Sequence, residues 1–180
     1  MNKQTYEKAR QAALKIYKKA GIALTNDEKS NIEVVDFSLD ELEKTGLEIV
    51  TYINSDKYCA KEMVLFPHQT CPEHIHSPFA NYIGKQETFR CRYGTVFLYV
   101  EGESAKNSSA KAPSGSEEWY TAWHEIVLHP GEQYTIYPNI KHWFQSGEQG
   151  AVVSEFSTQS FDEYDIFTDP RIKRIPKITE

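Results

Sequence analysis

Apolar residues recur at two periods along this chain, and the change of period divides it. Tyr6, Ala9, Ala13, Ile16, Tyr17 and Ala20 recur at helical spacing, Lys and Arg fill the other faces, and Gly21 follows as a stop. Residues 3–20 are therefore predicted to form an amphipathic helix packed on the outside of the core. Residues 22–33 are polar and read as a loop. Ser38-Leu39-Asp40-Glu41 has the form of a capping box opening a short helix that ends near Gly46. From Leu47 the period falls to two. Leu47 to Asn54 is rich in β-branched and aromatic residues, and Lys61 to Phe66 is a second strand stopped by Pro67. Further strands are expected around His74 and His76, over 87–92 and 95–100 with Gly94 turning the chain, and over 125–128, 133–137, 141–145 and 151–157. His129-Pro130-Gly131, Pro138-Asn139 and Ser146-Gly147 are the turns between the last four. Short strands at even spacing predict an antiparallel sandwich or closed barrel. Residues 102–117 have few apolar positions and read as a surface hairpin extension. Residues 158–180 are polar and are expected to wrap the outside.

Alternation also assigns faces. Lys61, Met63 and Leu65 share one, as do Glu87, Phe89 and Cys91, and Val153, Glu155 and Ser157. A lysine on an otherwise apolar face is either at an edge or functional. Arg90 and Arg92 fall opposite Glu87 and are expected to point outward.

A chain of 180 residues can bury one substantial core. It reads as a single domain: helix and loop over 1–34, barrel over 35–160, and a C-terminal wrapping segment over 161–180. Net charge is −6 with a pI of about 5.6, which argues against nucleic acid or an anionic membrane as the main partner. No apolar run approaches a membrane span and the N-terminus lacks the apolar core of a signal peptide. Cys59, Cys71 and Cys91 are odd in number with no C-x-x-C spacing, which fits a reducing compartment and a cytoplasmic location.

The chemistry concentrates in a few positions. His74 and His76 are two apart, so on a strand both imidazoles point to one face. Glu87 follows eleven residues later and His142 fifty-five after that. Three imidazoles and a carboxylate form a donor set for Mn²⁺, Fe²⁺, Co²⁺, Ni²⁺ or Zn²⁺. His68, His124 and His129 have no such partners and read as structural or surface residues.

His74-x-His76-(x)10-Glu87-(x)6-Gly94 resembles the first metal motif of the cupin superfamily, with an insertion before the Glu. Gly131-(x)6-Pro138-(x)3-His142 looks like the second, with Asn139 where many cupins have Pro-x-Gly. The run from Gln69 to His76, Lys85-Gln86-Glu87, Cys91 to Gly94, Pro138 to Phe144, and Ser154-Glu155-Phe156-Ser157 are similar to the D-lyxose isomerase family of cupins. So is Lys61, thirteen residues before His74. The resemblance covers roughly residues 35–175. It implies a mainly β, cupin-type small barrel with the N-terminal helix packed outside, a metal held by His74, His76, Glu87 and His142, Mn²⁺ as the preferred ion, and a homodimer. The acidic cluster the family carries after its last strand is loosely matched by Asp162, Glu163 and Asp165.

That family interconverts a free aldose and ketose, by resemblance D-lyxose and D-xylulose, with D-mannose and D-fructose as a side activity. The reaction moves hydrogen between C1 and C2 and a proton between O1 and O2. A divalent ion polarises the oxygens and a base moves the carbon-bound proton. Glu155 is the candidate base and Lys61 its acid partner, with the roles exchangeable. Burial and the cation are expected to lower the Lys61 pKa. Gln69, Lys85 and Asp165 are candidate partners for substrate hydroxyls, and Trp143 is expected mainly to pack. The alternatives are a phosphosugar isomerase or epimerase, an Fe²⁺-dependent dioxygenase on the same ligand set, and a non-catalytic sugar-binding cupin. The first would need an anion clamp that outward-facing Arg90 and Arg92 do not provide.

Overall fold

The fold was obtained as a computed structural model, which describes residues 1–175, 178 and 179. The predicted first helix is α1, Lys3–Lys19; the Asn2 side chain caps it by accepting from Thr5 N, and Gly21 follows at φ 71°. Its buried stripe of Ala9, Ala13 and Tyr17 packs on Val50, Val64 and Val152 from outside the sheet. The Tyr17 hydroxyl donates to the Glu62 carbonyl at 2.7 Å, fixing the helix to the sheet backbone.

Two local expectations are corrected. The segment read as loop contains a helix, α2, Asn26–Ser30, closed by a capping box between Thr25 and Glu28. Ser38–Glu41 forms no helix. Phe37, Ser38 and Asp40 adopt φ of 51°, 60° and 56°, outside helical space, and Ser38 N donates to Asp36 Oδ1.

The strands are β1 Glu33–Val35, β2 Leu47–Asn54, β3 Cys59–Leu65, β4 Thr70–Ile75, β5 Glu87–Val100, β6 His124–Leu128, β7 Gln133–Ile136, β8 His142–Ser157 and β9 Ile166–Phe167. Gly94 and Ser146-Gly147, read as turns, lie inside the long strands β5 and β8. Between them the ladder jumps from Gly94–Ala151 to Val96–Ser146, so residues 147–150 bulge. Such bulges bend strands without ending the pairing. Gly94 and Gly150 carry φ of 73° and 74°, and a Cβ on Gly94 would collide with the Gly150 carbonyl.

The bend curls one antiparallel sheet into two leaves. One runs β1-β2-β3, the second half of β8, the first half of β5, then β7. The other runs β9-β4, the first half of β8, the second half of β5, then β6. Between the leaves lies the core, including Met63, Leu65, Phe89, Leu98, Phe144 and Val153. This is the mainly β cupin-type barrel with an external helix.

Residues 101–123 are not a hairpin. They contain no strand, only a short 3-10 turn at Glu117–Trp119, and they cover a satellite core where Trp143 stacks on Tyr99 at 4.1 Å and donates to Ala122 O. Trp143 is fully buried and packs, as expected.

Candidate active site

Alternation on β4 and the antiparallel register do most of the assembly. His74 pairs directly with His142 across β4 and β8, and Glu87 opens β5. His74, His76, Glu87 and His142 are all buried, and one ligand atom from each lies within 4.8 Å of the others. Each imidazole presents Nδ1 to an acceptor: His74 to Pro72 O at 2.8 Å, His142 to Ile140 O at 2.9 Å, and His76 to Asp165 Oδ1 at 2.5 Å. Carbonyl and carboxylate oxygens only accept, so each Nδ1 carries the proton and each Nε2 is left as a donor atom for an ion. Among the described residues His142 Nε2 is buried without a hydrogen-bond partner, although Glu87 Oε1 lies 2.9 Å away. An orphaned buried nitrogen beside two imidazoles and a carboxylate fits a divalent cation.

The electrostatics favour an ion at His74 and Glu87, while at His76 a proton competes with an ion for Nε2 beside Glu87. Burial and the neighbouring His142 and His76 rings hold His74 well below the ordinary histidine value, in the neutral form. Burial and Lys85 push His76 down, but Glu87 and Asp165 outweigh them and lift it to about 9. Burial alone would raise Glu87, yet Lys85 and His76 keep its carboxyl well below the usual range.

Next to this cluster a second layer of charges lines the barrel. Lys61 and Glu155 are cross-strand partners on β3 and β8, both at most 5% exposed. Lys85 Nζ lies 2.7 Å from Glu87 Oε2 and donates to Glu155 Oε1 at 3.1 Å. Lys61 Nζ bonds both Asp162 oxygens at 2.8 and 2.9 Å and Ser160 Oγ at 3.0 Å. Burial pushes Lys61 down, but Glu155 and Asp162 outweigh it and hold the ammonium above its ordinary value. Burial lowers the value as expected, but the two carboxylates reverse the direction and favour the ammonium.

The candidate hydroxyl partners separate. Lys85 stays in the site as the bridge between Glu87 and Glu155. Asp165 bonds His76 Nδ1, an arrangement that would orient the ring if His76 held an ion. Gln69 lies elsewhere: it donates to Leu42 O at 2.6 Å and accepts from Phe66 N at 2.8 Å, fixing the turn beneath β2. His68, His124 and His129 are exposed. Of the loosely matched acids, Asp162 and Asp165 point at Lys61 and His76, while Glu163 is exposed.

The C-terminal segment does more than wrap the barrel. It returns along β4, pairing Phe167 with His74, and delivers Asp162 and Asp165 inward. It also delivers Arg174, which the sequence reading missed. Arg174 bonds Glu33 and Asp162 at 2.7 Å each and lines the cavity beside His74 and Glu155. No periodicity marks a buried arginine in a polar tail. That cavity holds about 30 Å³, the share of roughly one water molecule. Phe79 stacks on Tyr164 at 4.2 Å, joining the loop after β4 to the C-terminal segment beside His76 and Asp165.

Fold and site together define a cupin with a centre suited to a divalent ion and a lysine–glutamate pair beside it. The sequence profile of the D-lyxose isomerase family matches residues 10–180, and the chain belongs to that family. It is 63% identical over 176 residues to a D-lyxose/D-mannose isomerase of Thermosediminibacter oceani, covering 96% of this chain and 97% of the relative. It is 60% identical to a D-lyxose ketol-isomerase of Cohnella laeviribosi, covering 96% and 95%. Among solved structures, the L-ribose isomerase of Cellulomonas parahominis shares the fold at a TM-score of 0.80 and 15% identity, over 99% of this chain and 98% of that one.

Proposed function

We propose that this protein is an aldose–ketose isomerase that interconverts D-lyxose and D-xylulose, with D-mannose and D-fructose as a second substrate pair. The observation that carries the reading is the buried Lys61–Glu155 pair set beside a four-residue cluster of metal-binding type. His74, His76, Glu87 and His142 would hold the ion, which when bound supplies Lewis-acid polarisation of the sugar oxygens. Mn²⁺ is the ion proposed; Co²⁺, Fe²⁺, Ni²⁺ and Zn²⁺ suit the same donors.

The chain's own groups divide the proton work. Glu155 takes the carbon-bound proton at C2 of the aldose and returns it to C1, as a positioned carboxylate base. Lys61, held protonated by Glu155 and Asp162, donates a proton to O1 as that oxygen gains charge and recovers one from the O2 hydroxyl as the ketone forms, so it ends as it began. Lys85 holds the Glu155 carboxylate in place through its Oε1. The apolar walls of Phe89 and Phe144 keep water from the exchanging proton.

Three buried free cysteines support a reducing, cytoplasmic setting. Half-exposed Phe156 in the middle of the sheet's outer face supports a homodimer. The test is turnover of a panel of free aldoses by Mn²⁺-reconstituted protein with a chelated control. Lyxose as the best substrate and loss of activity on chelation are expected; metal-independent turnover, or none, would refute the reading.

A further inference from the structure

Glu73 immediately precedes the first cluster histidine, yet its carboxylate is buried on the other side of β4. Thr121 N and Ala122 N donate to its Oε2 at 2.6 and 2.7 Å. Thr121 Oγ1 and Thr168 Oγ1 donate to its Oε1 at 2.9 and 2.7 Å. Its own carbonyl accepts from Thr168 N at 3.1 Å. One residue thus fastens two segments that lack long strands of their own, the 101–123 connection and the C-terminal segment. Lys141, immediately before His142, reaches the same point by donating to Thr121 Oγ1 at 3.0 Å. The residues preceding the paired His74 and His142 therefore meet at one threonine.

Thr168 stands three residues after Asp165 and six after Asp162. We propose that Glu73 is a positioning residue for the metal centre: by anchoring Thr168 it sets Asp165 against His76 and Asp162 against Lys61. The inference rests on the isomerase reading for its functional consequence, but the anchoring itself does not. Four charge-assisted or neutral hydrogen bonds converge on a carboxylate that touches neither the cluster nor the cavity. The strand pair that follows it, Phe167 with His74, is only one of two in β9. So short a ladder does not hold a segment in register by itself.

The experiment compares four variants of the full chain by Mn²⁺ affinity, measured in competition with a chelating dye, and by backbone hydrogen exchange over residues 160–168. Thr168→Val keeps volume and removes the hydroxyl leg. It is expected to weaken Mn²⁺ binding about 10-fold, the lower range for partners of ligand histidines, and to speed exchange of that segment. Glu73→Ala should do the same or more. Glu73→Gln should stay near wild type, because its amide can turn toward the two threonine hydroxyls, which can accept as well as donate. Tyr17→Phe, which loosens the external helix, should lower the melting temperature without moving Mn²⁺ affinity. Wild-type affinity and exchange in Thr168→Val would overturn the proposal, as would an affinity loss in Tyr17→Phe equal to that in Thr168→Val. If the wild-type protein neither binds Mn²⁺ nor turns over lyxose, the isomerase reading fails, and unchanged exchange in Thr168→Val then decides against the anchor.

Discussion

His74 and His142 face each other across neighbouring strands with ring centroids 4.2 Å apart. Both present their Nδ1 atoms to backbone carbonyls, and among the described residues His142 Nε2 has no hydrogen-bond partner, which leaves it for an ion. Removing the ion should destabilise the fold by mass action. At 100 times its dissociation constant, Mn²⁺ is worth about 2.7 kcal/mol, or roughly 5–10 °C in a chain of this size. Thermal melts with and without a chelator should show that gap. In His142→Ala, metal analysis should find the content reduced and the gap nearly closed.

Glu155→Gln should lower kcat by two to four orders of magnitude, the usual worth of a positioned base, while bound metal and melting temperature stay close to wild type. Lys61→Met should behave alike, since Asp162 keeps Arg174 as a partner. Steady-state kinetics alongside metal analysis checks both. Near-normal kcat in either variant removes that residue from the chemistry.

Asp162 gives a pH signature. Burial alone would raise its pKa, but Lys61, Lys85 and Arg174 hold it well below the ordinary aspartate value. A carboxyl depressed in the folded state adds stability above its unfolded pKa of about 3.9 and loses it as pH falls through the folded value. Asp162→Asn should therefore melt earlier than wild type at neutral pH. The difference should shrink below about pH 4. Melting curves across pH 3–7 test this; a constant gap counts against it.

Gln69 separates support from recognition. Its amide is fully buried against backbone groups of Leu42 and Phe66. Gln69→Leu strands those groups and should cost about 1–3 kcal/mol of stability. KM for sugar should not change. A KM increase with an unchanged melt would return Gln69 to the substrate.

Much of this arrangement was legible in the sequence. The period-two alternation placed Lys61 with Met63 and Glu155 with Val153 on inner faces, and the i, i+2 histidines pointed together for the same reason. What alternation could not give was contact across long separations. Nothing local says that Asp162 meets Lys61, 101 residues away, or that Arg174 enters the barrel. The bends in β5 and β8 were read as turns because Gly94 and Ser146-Gly147 carry the same chemistry in both settings. The false helix at Ser38 failed because Asp36, not Ser38, captures the backbone there.

A cavity of about 30 Å³ cannot admit a sugar, since small-molecule pockets run to about 300–1,000 Å³. The C-terminal segment, joined to the loop after β4 by Phe79 and Tyr164, is expected to move as substrate enters. Backbone exchange over residues 158–168 should be faster than in β3 or β8 and should slow when sugar binds. Exchange as slow as the central strands, with no response to sugar, would place the entrance elsewhere.

Gly94 and Gly150 sit where the two longest strands fold over, each against backbone that leaves a side chain no room. Any residue larger than glycine at Gly94 would prise the leaves apart at their crease. The imidazoles on one leaf and the Lys61–Glu155 pair on the other would then lose their common focus. A site whose members seem remote from this crease is thus hostage to two positions that carry no functional group at all.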